Sequence, residues 1–170
     1  MNKYFTKYLF LLPVYVLLQE LLLNQILFSA YINPFLYIIL IIGLPIKTPK
    51  WFLLIYAFLL GFFIDLFSGS LGFHSTATIL IAFFKPFISK LTIPHNILGD
   101  TDEITLKKIG NKAFITFSSL LIIVHNSCLF IMEHMNFNLA IVGKILSSSF
   151  VTLIIVLITQ LFIKKNNERL

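Results

Sequence analysis

The chain has 170 residues, of which 58% are hydrophobic and 12% charged, with a mean hydropathy of +0.95. A soluble domain carries about 25% charged residues, so this composition excludes a soluble enzyme or binding module and describes an integral membrane protein. The net charge of +6, which in a soluble chain would point to nucleic acid, is here a matter of membrane topology, and no nucleic-acid partner is expected. The lone cysteine, Cys128, lies inside an apolar run, which gives neither a disulfide framework nor a metal-type cysteine pattern.

Apolar runs cover about 4–27, 31–46, 49–67, 73–93, 112–132 and 137–163. Six spans of about 20 residues use roughly 120 residues, which leaves no soluble domain. The expected fold is therefore all-α, one transmembrane domain over 1–170 with six helices in one bundle and a cytoplasmic loop at 94–110. Lys3 and Lys7 ahead of the first run resemble a signal peptide, but the run is too long for one and no small-x-small cleavage site follows it. It reads as an uncleaved first helix, with Pro13, Leu17, Glu20 and Asn24 on one stripe at spacings of three and four.

The second run is short, about 20 Å of helix over 34–46 against a hydrocarbon core of about 30 Å, so either Tyr31 and Ile32 extend it or the helix is short and sheltered by its neighbours. Asn33-Pro34 reads as its start, a capping side chain before proline at the first helical position. Runs three and four form a hairpin, AFLLGFFIDLFSGSLGFHS over 57–75, in which Asp65 precedes a turn of Ser68, Gly69, Ser70 and Gly72. A carboxylate in a spanning helix costs about 2.5–3.5 kcal/mol at the bilayer centre and less toward the interface, so Asp65 is expected to face protein or water. In run four Lys85-Pro86 interrupts the helix: the proline removes a backbone donor and the lysine snorkels toward the cytoplasmic face.

The loop that follows holds Asp100-Thr101-Asp102-Glu103, a capping-box pattern, with Glu103 and Lys107 at i, i+4. A short surface helix leading into span five is expected, with Lys107 and Lys108 toward anionic headgroups. Span five buries His125 and Asn126, read as a neutral histidine bonded to a neighbouring helix. Gly143 and Ser147, followed by Ser148 and Ser149, give span six a small-residue face that lets another helix approach.

Eleven of the thirteen basic residues fall before span one, between spans two and three, between four and five, or after six. The positive-inside rule then places both termini in the cytoplasm and the Gly69–Gly72 turn outside. Counting depth along the helices puts Glu20, Asp65 and Lys144 at similar levels, and Lys144 is expected to be the counter-ion of one or both acids. There is no GKS/T phosphate loop, no GxSxG elbow, no HExxH and no metal-ligand spacing. Neither catalysis nor a cofactor is expected.

The stretch LGFFIDLFSGSLG over 60–72, followed by an alanine- and threonine-containing span ending in FFKP at 83–86, resembles the signature of the rod shape-determining MreD family. The likeness covers about thirty residues and maps the family's acid onto Asp65, the preceding glycine onto Gly61 and its turn glycines onto Gly69 and Gly72. It implies a non-enzymatic inner-membrane component of bacterial cell elongation that binds the bitopic protein MreC. Through it, cytoplasmic MreB would be linked to the glycosyltransferase RodA and a penicillin-binding transpeptidase. The family is similar in fold to substrate-binding S-components of energy-coupling-factor vitamin transporters, which gives a second expectation. Glu20, Lys144, Lys85 and Pro86 come from the residues themselves and not from that resemblance.

Overall fold

The computed structural model describes residues 3–25, 32–70, 72–94, 97–99, 102–135 and 138–167. They form α1 (Lys3–Leu18), continued by a π-helical turn (Gln19–Leu23), then α2 (Ile38–Gly43), α3 (Lys50–Ser68), α4 (Phe73–Thr92), α5 (Leu106–Ile109), α6 (Asn111–His134) and α7 (Leu139–Asn167). No strand occurs among the described residues. Four stretches are long and apolar enough to cross a bilayer: Tyr4–Leu23, Lys50–Ser68, Asn111–His134 and Leu139–Phe162. Their outer faces carry Phe10, Trp51, Phe150 and Phe162, each 63–74% exposed. Such a surface suits acyl chains and would be an aggregation liability in water.

The remaining two expected spans differ from these four for physical reasons. With 20 residues, α4 is about 30 Å long, enough to span. Its inward side is polar, however, with Ser75, Thr78, Lys85 and Ser89 all buried where it packs against α3 and α6. α4 also runs on through Pro86, so Lys85-Pro86 does not end or divide it.

Only six residues of the second run are helical, and all six are buried. A helix that is apolar on every side belongs in a core, and α2 lies inside the bundle against α1, α4 and α6. Asn33-Pro34 does not start it. The backbone N–H groups of Asn33, Phe35 and Leu36 donate instead to Ser148 Oγ, Thr152 Oγ1 and Gln19 Oε1, at 3.1, 3.1 and 2.9 Å. Gln19 Nε2 donates to the carbonyl of Pro34 at 2.8 Å. Non-helical backbone at membrane depth is tolerated only when protein satisfies its polar groups. Side chains from the π-helical turn and α7 do so here, and they hold this stretch out of the helix.

The π turn makes that possible. It departs from the 3.6-residue register, and Gln19 is buried there at 1% exposure. At the other end of α2 the carbonyl of Gly43 accepts the Ile104 N–H at 3.0 Å, tying in the segment before α5. That segment departs from the expected capping box. Glu103 precedes α5 and pairs with Lys7 of α1 at 2.7 Å, while Asp102 pairs with Lys108. Asp100 and Thr101 lie outside the described residues, as do Tyr31, Leu71 and the start of the sixth run at Phe137.

A cluster at the hairpin end of the bundle

The chain reverses between α3 and α4 through two left-handed glycines. Gly69 (φ +66°) closes α3 and Gly72 (φ +86°) opens α4, a region where a Cβ is strained. Gly61 serves a different need. A Cβ there would stand 2.4 Å from both the Ser75 Cα and the Thr78 hydroxyl, so α3 and α4 touch backbone to backbone at this level.

Because Gly72 has no side chain to cap α4, the first turn of that helix lacks a local acceptor. Asp65, one turn before the end of α3, supplies it. Its Oδ1 accepts from the Ser70 hydroxyl at 2.5 Å and the His74 N–H at 3.0 Å; its Oδ2 accepts from the Ser75 N–H at 2.8 Å and the Ser75 hydroxyl at 2.5 Å. A carboxylate has about four lone-pair sites, and all are used. The buried acid is an N-cap delivered from the neighbouring helix, where negative charge also complements the helix dipole.

His74 joins this clamp to a chain of polar side chains through the core. Its Nδ1 lies 2.7 Å from the Tyr37 hydroxyl, which lies 2.9 Å from His125 Nε2. His125 Nδ1 meets Asn126 Oδ1 at 3.0 Å, and Asn126 Nδ2 donates to Ser149 Oγ at 2.9 Å. The direction follows from Asn126: its carbonyl oxygen accepts from His125 Nδ1, so Nε2 accepts from Tyr37 and Tyr37 accepts from His74. Nε2 of His74 is then the ring nitrogen without a partner among the described residues. Phe35 sits among these rings, with centroids 5.4 Å from His125 and 5.7 Å from His74. His125 does bond outside its own helix, to the residue just before α2 rather than to one within a helix. Its partner is Tyr37, ahead of α2, and both side chains are fully buried.

His74 also borders a cavity of about 310 Å³ whose polar lining includes Asn24, Asn33, Ser68, Ser70 and Glu133. Glu20 accepts from the hydroxyl of Ser68, one of the lining residues, at 2.8 Å. The expected pairing of Lys144 with Glu20 or Asp65 is not what the structure shows. Lys144 Nζ lies 3.5 Å from Glu133 and 4.5 Å from the Phe130 ring centroid. The packing of α6 against α7 places Glu133 beside Lys144, whereas Asp65 is already saturated by the hairpin. Among the described residues, no three or more His, Cys, Asp or Glu come together as a metal site.

Two more expectations change. Lys85 does not snorkel: it is buried at 2% exposure and donates to the Leu44 carbonyl at 2.5 Å, just past the C-terminus of α2. That end of a helix carries orphan carbonyls and partial negative charge, so it offers the ammonium a partner inside the protein. Gly143 makes no close approach, since a Cβ there would meet nothing within 4 Å. The serines of the same face are used for their hydroxyls, Ser148 toward Asn33 and Ser149 toward Asn126.

Tyr37, Gln19 and Thr152 were not distinguishable beforehand, because each looks like an ordinary interior residue of an apolar run. The one available signal was polarity at helical spacing, Ser148 and Thr152 falling at i, i+4 on α7. Chemically the cluster binds and orients: its acid is fully consumed by donors, and its histidines hold a tyrosine in place. No family model, no curated protein and no solved structure matches this chain.

Proposed function

We propose that this chain is a non-catalytic scaffold of the MreD type, threaded six times through the bacterial inner membrane with both termini in the cytoplasm. In this reading α4 and the segment around α2 complete the six crossings. The bundle holds an MreC-like bitopic protein, and through it MreB, RodA and a penicillin-binding transpeptidase. The observation that carries the reading is the saturation of Asp65. An acid whose acceptor sites are all taken by the turn it caps fixes the α3–α4 hairpin, and with it the shape of a partner-binding face. It has no lone pair left for proton abstraction. The MreD likeness rests on the same stretch.

The test is purification of the tagged chain in mild detergent together with the bitopic MreC-like protein of the same cell. Co-purification that weakens with Asp65→Ala supports the scaffold. The separate question of topology is settled by impermeant thiol labelling of Phe67→Cys in a Cys128→Ser background. Labelling from the inner side only would overturn the proposed threading.

A second reading, a vitamin-capturing S-component similar to those of energy-coupling-factor transporters, is favoured by one observation. The cavity of about 310 Å³ beside His74 and Glu133 falls at the lower end of the usual range for small-molecule sites. A small molecule retained through purification, with no bitopic partner, would favour this reading over the scaffold.

A further inference from the structure

At the opposite end of the α3–α4 hairpin the two helices part into a groove of about 510 Å³. Lys50, the first residue of α3, and Lys90, in the last turn of α4, both border it, and Leu53, Leu54, Phe83 and Phe87 line its apolar wall. Phe83 and Phe87 are 68% and 62% exposed, so the groove opens on the outer surface of the bundle. Trp51, beside Lys50, is 63% exposed, and exposed tryptophan next to lysine marks the headgroup level of a bilayer.

Among the described residues the charges at the mouth are unmatched. Ion pairs occupy Lys7, Lys108 and Lys144, but neither Lys50 nor Lys90 has a carboxylate or any hydrogen-bond acceptor among the described residues. Two ammonium groups thus stand over an apolar slot. From Lys90 to Ala82, the farthest lining residue on α4, the slot runs about 12 Å along the helix. One leaflet of hydrocarbon is about 15 Å deep, half of the roughly 30 Å core. The slot therefore matches one acyl chain in length, and its mouth matches one phosphate in charge.

We propose that this groove is a site for a single anionic glycerophospholipid, its phosphate between Lys50 and Lys90 and one acyl chain along Leu53, Leu54, Phe83 and Phe87. A phosphocholine lipid brings its own cation to the same mouth and loses the advantage. Each lysine near a membrane surface contributes about fivefold to binding an anionic lipid, equivalent to about 1 kcal/mol. The pair gives a preference of about 25-fold for an anionic over a zwitterionic lipid of equal chains. The site is independent of the scaffold reading, since it lies at the far end of the hairpin and uses none of the residues around Asp65.

The experiment is native mass spectrometry of the delipidated full chain, titrated with phosphatidylglycerol and with phosphatidylcholine of identical acyl chains. The wild type is expected to bind phosphatidylglycerol at least tenfold more tightly. The double variant Lys50→Gln/Lys90→Gln is expected to fall to within about twofold of parity, while Lys112→Gln, an exposed lysine at the start of α6, keeps the preference. Excess inorganic phosphate should not displace the lipid, because it cannot fill the slot. Equal affinity for the two lipids, or an equal loss in Lys112→Gln, overturns the site in favour of diffuse attraction. Displacement by inorganic phosphate overturns the role of the acyl groove.

Discussion

Asp65 on α3 caps α4 through Ser75: one carboxylate oxygen accepts both the backbone N–H and the hydroxyl of that residue, at 2.8 and 2.5 Å. The bond joins two helices across a turn of two left-handed glycines, and it is buried, with Asp65 at 6% and Ser75 at 8% exposure. Hydrogen bonds to a charged group are worth about 1.5–3 kcal/mol, and stranding a buried donor costs about as much. Asp65→Asn keeps the shape but turns an amide toward donors. It is expected to destabilise the protein by about 3 kcal/mol, with Ser75→Ala, which removes one charge-assisted bond, costing about 1.5–2 kcal/mol. Thermal unfolding in detergent measures both, and an Asp65→Asn protein as stable as the wild type would show that the clamp is dispensable.

Tyr37 gives a second, sharper comparison, because its hydroxyl serves two histidines whereas that of Tyr56 serves one carbonyl, Tyr8 O at 3.0 Å. Both tyrosines are buried at 1% exposure or less. Tyr37→Phe strands His74 Nδ1 and His125 Nε2 together and is expected to cost about 2–3 kcal/mol. Tyr56→Phe loses a single neutral bond, for about 1 kcal/mol. The two variants remove the same atom from the same residue type, so equal losses of stability would mean that the chain from His74 to Ser149 contributes nothing beyond one bond.

What could be read in advance, and what could not, divides along sequence separation. The α3–α4 hairpin was legible because the acid, the glycines and the capped helix fall within about ten residues, and turn chemistry is local. The four spans recovered by length and apolar composition were legible for the same reason. α2 was not, because what keeps 33–36 out of a helix comes from Gln19 before it and from Ser148 and Thr152 more than a hundred residues after it. Lys144 was misassigned by counting depth along separate helices, a measure blind to rotation about each axis. The packing of α6 against α7 puts Glu133 within reach of it, and nothing in apolar spacing encodes that rotation.

Lys85, read from sequence as reaching for the membrane face, is expected to behave as an interior residue. An amine-acetylating reagent added to the folded protein should modify the exposed Lys50 and Lys90 and spare Lys85 until the protein is denatured, as peptide mass spectrometry would register. Lys85→Met retains the packed stem and leaves the Leu44 carbonyl without its donor, for a loss of about 1–2 kcal/mol. Lys85→Ala also opens a void beside α2 and is expected to cost more. Rapid acetylation of Lys85 in the folded state would return it to the surface.

The loop before α5 should respond to acid. The Lys108 ammonium, with the Gly99 N–H, holds the Asp102 carboxyl below the usual carboxylate range. A group with a depressed folded pKa contributes stability above its unfolded value of about 3.9 and loses it as pH falls through the folded value. Both partners are exposed, so the effect is confined to the loop and screened by salt. Amide exchange over 102–109 should accelerate, relative to α6, as pH drops below about 4, after correction for intrinsic rates. In Asp102→Asn the extra acceleration should vanish; its persistence would mean that the contact of Asp102 with Lys108 does not hold the loop.

Lys144 provides the last discriminating measurement, a pair of double-mutant cycles. Its ammonium is mostly covered, while Glu133 opposite is 42% exposed, and the two stand 3.5 Å apart. A half-exposed pair at that distance couples weakly, by about 0.5 kcal/mol. Part of what holds Lys144 is the Phe130 ring beneath it, 4.5 Å from the ammonium, and a cation over an aromatic face adds about 0.5–1 kcal/mol. Lys144→Met and Glu133→Gln should therefore be non-additive by about 0.5 kcal/mol. Lys144→Met and Asp65→Asn should add within about 0.3 kcal/mol, since they share no partner. Coupling in the second cycle and none in the first would restore the ion pair expected from depth alone and require α7 to be rotated relative to α3.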